Sequence, residues 1–290
     1  MAADQQLFWV VSSSVFVRAI HCGLTLAVVI TFFIKNTEIS QDVKDGQYLI
    51  PIIYIVCVIV PMNFYFLASL SDPGYVNISE HRNSKSKRLG NNDDYSTSDE
   101  EMEEGRSEAS QMLDSPKIKL KKCSYCKILQ PMRVKHCREC KRCVHRFDHH
   151  CPWLDNCVGE RNHRYFWLFL LTETALIMWS LKITWSAFKH QEKWEEWLQY
   201  NLFFIFAFAL LLFGLMVAGL LLGCHSFLIA VNTTTWEFMS RQRIQYLKDL
   251  NDDENPFDEG LLKNFVKFLF YCALRRWELM YYKNSIARIV

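Results

Sequence analysis

Four long apolar blocks constrain this chain more than any other feature. A helix crossing the hydrocarbon core of a bilayer takes about 20 apolar residues, and residues 15–34, 48–70, 166–185 and 202–230 each reach that length. They predict an α-helical polytopic membrane protein with four transmembrane helices. Arg18 stands near one end of the first block and can reach the interface. Pro51 and Pro61 lie in the second, where neighbouring helices can satisfy the freed carbonyls. Gly214, Gly219 and Gly223 in the fourth permit close helix approach. The first block lacks a basic leader and an obvious cleavage site, so it is expected to stay as a permanent anchor.

Basic residues set the expected orientation. Lys and Arg number 18 in the loop 72–165 and nine in the tail 231–290, against two in 35–47 and two in 186–201. The positive-inside rule then places the central loop and both termini in the cytosol. On that side the Asn77-Ile78-Ser79 sequon is expected to carry no glycan. The net charge of +2 is too small to argue for nucleic acid. Residues 79–116 are rich in Ser, Asn, Asp and Glu, with an acidic run at Asp99, Glu100, Glu101, Glu103 and Glu104. They read as a disordered linker. Lys117, Lys119, Lys121 and Lys122 follow and can meet anionic lipid or solvent.

Between the second and third blocks, residues 123–157 hold seven cysteines and four histidines. The C-x-x-C steps Cys123/Cys126, Cys137/Cys140 and Cys140/Cys143 let paired thiolates meet one metal from a tight turn, and two tetrahedral zinc sites need eight such ligands. Eleven candidates leave a surplus of about three. Glycine is absent from the window and its periodicity is weak, so metal must hold it in shape. Cysteines beside histidines in this pattern point to zinc in a reducing compartment, not to a disulfide scaffold. Cys22, Cys57, Cys224 and Cys272 lie in or beside apolar segments and read as small buried hydrophobes.

Cys151, in Asp148-His149-His150-Cys151, has no C-x-x-C partner and stands beside two imidazoles. Spacing alone leaves open which histidine binds metal, and whether Cys151 is itself a ligand. A thiolate next to an imidazole is a nucleophile with its base, and Asp148 can hold a histidine in the right tautomer. The third apolar block begins at Phe166, so this thiol is tethered near the bilayer, where it can meet a lipid-bearing thioester.

The block C-x2-C-x9-H-C-x2-C-x2-C-x4-D-H-H-C-x5-C resembles the signature of the DHHC family of protein S-acyltransferases. Asp72-Pro73-Gly74 after the second span, Thr234-Thr235-Trp236-Glu237 after the fourth, and Asn255-Pro256-Phe257 with Gly260 and Asn264 resemble the family's flanking motifs. The resemblance implies that Cys151 is the acyl-carrying nucleophile, His149 its general base and Asp148 the group that orients it. It implies one zinc on Cys123, Cys126, His136 and Cys143 and a second on Cys137, Cys140, His150 and Cys157. It also implies that Thr235 contacts the Asp148 side of the site and that Asn264 docks the tail against the spans.

The activity implied is protein S-palmitoyltransfer, from palmitoyl-CoA or another long-chain acyl-CoA to membrane-associated substrate proteins, at the Golgi or endoplasmic reticulum. The expected organisation is a first pair of spans in 1–71, the Asp-Pro-Gly motif and linker in 72–116, the zinc-binding catalytic domain in 117–164, a second pair of spans in 165–231 and a cytosolic tail in 232–290. Burial of about 0.8 kcal/mol per methylene makes a C16 chain worth roughly 10 kcal/mol. Trp153, Tyr65 and the third-span aromatics are candidates to line its cavity, and Lys135 and Arg133 are candidates to meet CoA phosphates. The rival readings are a catalytically silent membrane-anchored zinc scaffold and a zinc transporter. A transporter requires ligands within the spans, where His225 and a few cysteines stand.

Overall fold

The computed structural model describes residues 2–77, 120–251, 254–271 and 273–286. The whole linker 79–116 with its acidic run, Lys117, Lys119, Ile78 and Ser79 of the sequon, and Cys272 lie outside the described residues. Helices α1 (Ala2–Ile34), α3 (Leu49–Leu70), α4 (His163–Ser186) and α5 (Trp194–Ala230) form a bundle, with a short α2 (Glu38–Lys44) between α1 and α3. The four are long and apolar enough to cross a membrane. Their outward faces carry large apolar side chains such as Val15, Phe206 and Phe213, each at least 60% exposed. Such exposure suits lipid, not water. Cys224 is exposed on this surface, against its expected burial, while Cys22 and Cys57 are half-buried.

Helix bounds depart from those read off hydropathy: α1 begins at Ala2 and α4 at His163, not at 15 and 166. Helix α5 begins at Trp194 rather than at 202, because polar residues extend it past its apolar stretch. Asn201, fully buried, accepts from Lys189 N at 3.1 Å and donates to Lys189 O at 2.9 Å, which fastens that extension to the incoming loop. Helix α2 lies in the short loop between the first two apolar blocks. A capping box between Thr37 and Ser40 starts it, supplying partners to N–H groups that a helix start leaves unmet.

The metal window forms two antiparallel pairs. Strand β1 (Lys135–Cys137) pairs with β2 (Arg142–Val144), and β3 (His149–Cys151) pairs with β4 (Asn156–Val158). Lys127, Lys141 and Asp155 adopt left-handed backbone at φ 58°, 53° and 47° in the tight turns where the window has no glycine. Such strain, about 1–3 kcal/mol per residue, persists where ligation closes the turns.

The second pair sits on the membrane bundle. Leu154 and Val158 pack with Tyr65, Ala68, Phe166, Phe169 and Leu170, and Cys151 lies against that cluster. Asn156 and Asn162 donate to Ala68 O at 3.2 and 3.0 Å, joining the pair to the end of α3. The Asp-Pro-Gly turn docks beside it. Gly74 has φ +107° and Asp72 accepts from the N–H of Gly74 and of Tyr75. Gly159 approaches so closely that a Cβ there would lie 2.5 Å from Pro73 O.

Past α5 the chain forms α6 (Thr235–Ser240), α7 (Leu261–Phe270) and α8 (Trp277–Ile286). Asn264 donates to Ala230 O at 2.7 Å and so fastens α7 to the end of α5.

Candidate active site and metal centres

Strand alternation decides which side chain of each hairpin faces inward. Successive side chains of a strand point to opposite faces. In the first pair His136 lies opposite Cys143, and in the second His150 lies opposite Cys157. Each cross-strand Cys–His couple joins the thiols of a C-x-x-C turn. Cys123, Cys126, His136 and Cys143 bring their ligand atoms within 4.8 Å of one another, as do Cys137, Cys140, His150 and Cys157.

The spacings fit zinc. Bonds of about 2.0–2.3 Å in a tetrahedron put ligand atoms roughly 3.5–3.8 Å apart. His150 Nδ1 lies 3.8, 3.5 and 3.7 Å from the sulfurs of Cys137, Cys140 and Cys157. His136 Nδ1 lies 3.3 and 3.8 Å from those of Cys126 and Cys143. Backbone and amide donors offset thiolate charge: Cys126 N to Cys123 Sγ at 3.3 Å, Cys140 N to Cys137 Sγ at 3.4 Å, and Gln130 Nε2 to Cys143 Sγ at 3.5 Å. Tyr125 stacks on the His136 ring at 4.6 Å. Such outer contacts orient ligands in metal sites. The two clusters fit two zinc ions.

His149 and Cys151 flank His150 on β3 and so share the face turned away from the metal cluster. Neither belongs to a Cys₃His cluster, and neither does His145. His145 packs instead beside the Asp-Pro-Gly turn, its N–H donating to Gly74 O at 2.8 Å. The Asp148 carboxylate, 1% exposed, lies 2.7 Å from His149 Nδ1. It also accepts from Thr235 N at 2.9 Å and Thr235 Oγ1 at 2.8 Å.

Electrostatics follow from this packing. Burial alone would push the Asp148 carboxyl up, but the imidazoles of His163, His149 and His225 outweigh it and hold it well below the usual carboxylate range. Burial would lower His149, yet its hydrogen bonds to Asp148 and Cys151 raise it from 6.5 to about 9. Burial would raise the Cys151 thiol. The hydrogen bond and charge of His149, with the backbone N–H groups of Leu154 and Trp153, bring it below its ordinary value. A lowered thiol beside a raised imidazole shifts the balance toward thiolate, the nucleophilic form of cysteine.

Residues remote in sequence hold this arrangement. Glu237 closes a capping box with Thr234 at the start of α6, which presents Thr235 to Asp148. The same carboxylate takes a two-pronged ion pair from Arg133, with Nε to Oε1 at 2.8 Å and Nη2 to Oε2 at 2.5 Å. The Arg133 guanidinium lies 4.3 Å from both the Phe257 and Trp277 rings, and donates to Asn232 Oδ1 at 3.2 Å. Arg133 is therefore neither a solvated loop charge nor a phosphate ligand; at 1% exposure it is a structural cation. Lys135 lines a cavity of about 820 Å³ with Lys121, Arg138, Arg243 and Trp236.

The expected acyl-cavity residues Tyr65 and Trp153 meet: Tyr65 Oη donates to Trp153 O at 3.1 Å. In the sequence His163 has no evident role and His225 stands out only as a ligand that a transporter would need, yet both histidines lie beside Asp148. Their signal was an ionisable residue close to a span: His163 just ahead of the block 166–185 and His225 within the block 202–230.

A four-span bundle that grips a module of two Cys₃His clusters, with a thiol, an imidazole and a buried carboxylate at their junction, has the make-up of an integral membrane enzyme. Comparisons with known proteins agree. The model of the DHHC palmitoyltransferase family matches residues 116–242. Palmitoyltransferase ZDHHC12-A of Danio rerio is 41% identical over 277 residues, covering 96% of this chain and 97% of the relative. Palmitoyltransferase ZDHHC12 of Homo sapiens is 38% identical, covering 93% of each, and that of Mus musculus is 36% identical, covering 92% of each. The chain belongs to the DHHC palmitoyltransferase family and is a protein S-palmitoyltransferase.

Proposed function

We propose that Cys151 carries the acyl group, that His149 moves the proton and that Asp148, held by Thr235, orients His149. The observation that carries this reading is the Asp148–His149 contact of 2.7 Å on the face of β3 that also bears Cys151. The two metal clusters take Cys123, Cys126, His136 and Cys143, and Cys137, Cys140, His150 and Cys157. Bound zinc supplies the cross-links that fix the hairpins.

In the first step the Cys151 thiolate attacks the thioester carbonyl of a long-chain acyl-CoA. A new C–S bond forms, the bond to CoA breaks, and the CoA thiolate takes the proton from the His149 imidazolium. In the second step neutral His149 accepts the proton of a substrate cysteine. That sulfur attacks the acyl-enzyme carbonyl and the Cys151 thiolate leaves. One thioester replaces another at each step, so no ATP enters. The cations Lys121, Lys135, Arg138 and Arg243 line a cavity that includes Trp236, the residue after Thr235, and they suit the phosphates of CoA. Tyr65, Trp153 and Phe169 suit the acyl chain.

The excess of Lys and Arg in the central loop and the tail supports a cytosolic metal domain and cytosolic termini. Membrane-associated substrate proteins and residence in the Golgi or endoplasmic reticulum belong to the same reading, as do the domain limits 1–71, 72–116, 117–164, 165–231 and 232–290. A silent scaffold needs no thiol paired with an imidazole that is braced by a buried carboxylate.

The test is incubation with clickable palmitoyl-CoA. Wild type is expected to take up a hydroxylamine-sensitive label, and Cys151→Ser to take none while keeping two zinc equivalents. A label that survives in Cys151→Ser overturns the assignment.

A further inference from the structure

His163 begins α4 and His225 lies near the end of α5, 62 residues apart in the chain. Both are buried, at 1% and 4% exposure. Ionisable residues inside membrane helices are rare and mark functional positions. His163 Nε2 and His225 Nδ1 are 3.1 Å apart. His163 Nδ1 is buried without a hydrogen-bond partner. An orphaned buried N–H is among the rarest and costliest of polar defects. The assignment that avoids one puts the His163 proton on Nε2, donating to His225 Nδ1. The remaining proton of His225 then sits on its Nε2.

The pair lies beside the reacting groups. Ligand-type atoms of Asp148, His163 and His225 fall within 4.8 Å of one another. The His225 ring sits 5.6 Å from that of His149 at 39°, and Phe166 meets His149 at 5.6 Å and His225 at 5.0 Å, edge-on. Thr235 fixes Asp148 from one side, while His225 and Phe166 bound the His149 ring from the side of the spans.

We propose that His163 and His225 are positioning residues for acyl transfer: His163 holds the His225 ring by a hydrogen bond, and His225 holds His149 in the orientation that faces Cys151. This rests on the roles given above to Cys151 and His149. It adds that two membrane helices set the rate through that imidazole.

The experiment uses the full chain and measures kcat and KM for palmitoyl-CoA in acyl loading, with zinc content, at one pH. His225→Leu is expected to lower kcat roughly 10- to 100-fold, the size of a small misplacement of a catalytic group, with KM within about twofold and two zinc equivalents kept. His225→Asn keeps a polar atom near the Nδ1 position and is expected to recover most of the loss. Four results overturn the proposal. His225→Leu keeps wild-type kcat; Leu and Asn variants fall alike; KM rises while kcat holds; or wild type carries a third zinc equivalent that His225→Leu loses, which makes the trio a metal site. Should His225→Leu fail to fold, His163→Gln against His163→Met decides on the same criteria, because only Gln retains a donor at the reach of Nε2. Cys151→Ser in the same assay separates the two claims. A labelled Cys151→Ser sinks the parent reading, whereas an unlabelled one leaves the histidine variants to judge the pair.

Discussion

The two metal hairpins are built alike and do different work. Each is a three-residue antiparallel pair with a histidine opposite a cysteine. In β1–β2 the residue before the histidine is Lys135, whose ammonium lies over Phe147 and Trp236 at 5.0 and 4.9 Å. In β3–β4 it is His149, backed by buried Asp148. The first hairpin packs near the tail, whose Phe257 and Trp277 sandwich Arg133. The second rests on the membrane bundle through Leu154 and Val158. Metal ligation gives both hairpins rigidity. What the second gains is an outer face bearing His149 and Cys151, with a buried carboxylate behind it and the spans beneath it.

The largest expected effect breaks the likeness itself. Cys137→Ala removes a ligand of the cluster that anchors β3. Structural zinc in small modules is worth about 10–16 kcal/mol, so this variant is expected to lose one zinc equivalent and all acyl loading. Full metal content with activity intact would falsify the ligand assignment.

A matched pair sharpens the contrast between the hairpins. His136→Ala is expected to lose one zinc equivalent. His149→Ala is expected to keep both and to slow acyl loading about 10²- to 10⁴-fold, the range for a lost general base. Metal analysis alongside single-turnover loading decides. Equal metal loss in the two variants makes His149 a ligand and ends the distinction.

Glu237→Gln tests how the first hairpin reaches the second. Arg133 and Glu237 are both fully buried, and breaking such a pair costs about 3–5 kcal/mol. A lower unfolding midpoint is expected together with slower loading, because the same carboxylate caps the helix that carries Thr235. An unchanged midpoint means the pair is not fully desolvated.

The smallest effect is on pH. His149 titrates near 9 in the fold against 6.5 for a free imidazole. Its stabilisation is fully present below 6.5 and is lost as pH rises through about 9. The Tm advantage of wild type over His149→Gln is therefore expected to shrink between those values. A difference that stays flat, or grows with pH, contradicts the raised value.

Much of this was legible in the chain. The spans were visible because a bilayer demands a length of apolar helix, and the metal module because C-x-x-C steps crowd donors. The helix boundaries were not, since Asn201 and the Thr37–Ser40 cap act through hydrogen bonds that hydropathy does not register. Arg133 resembled any loop cation until Glu237, 104 residues away, met it. Spacing could not choose between His149 and His150, because adjacent residues have the same reach along the chain.

What the sequence alone determined was stoichiometry: four lengths of apolar helix, and enough sulfur and imidazole for two metals with a remainder. Only the tertiary structure gathers eight of those groups into two clusters and sets His149 and Cys151 apart from them. A three-residue strand turns neighbouring side chains to opposite faces, so His150 points into a cluster while His149 and Cys151 point out of it. Partners brought from 87 residues away then hold the carboxylate behind them.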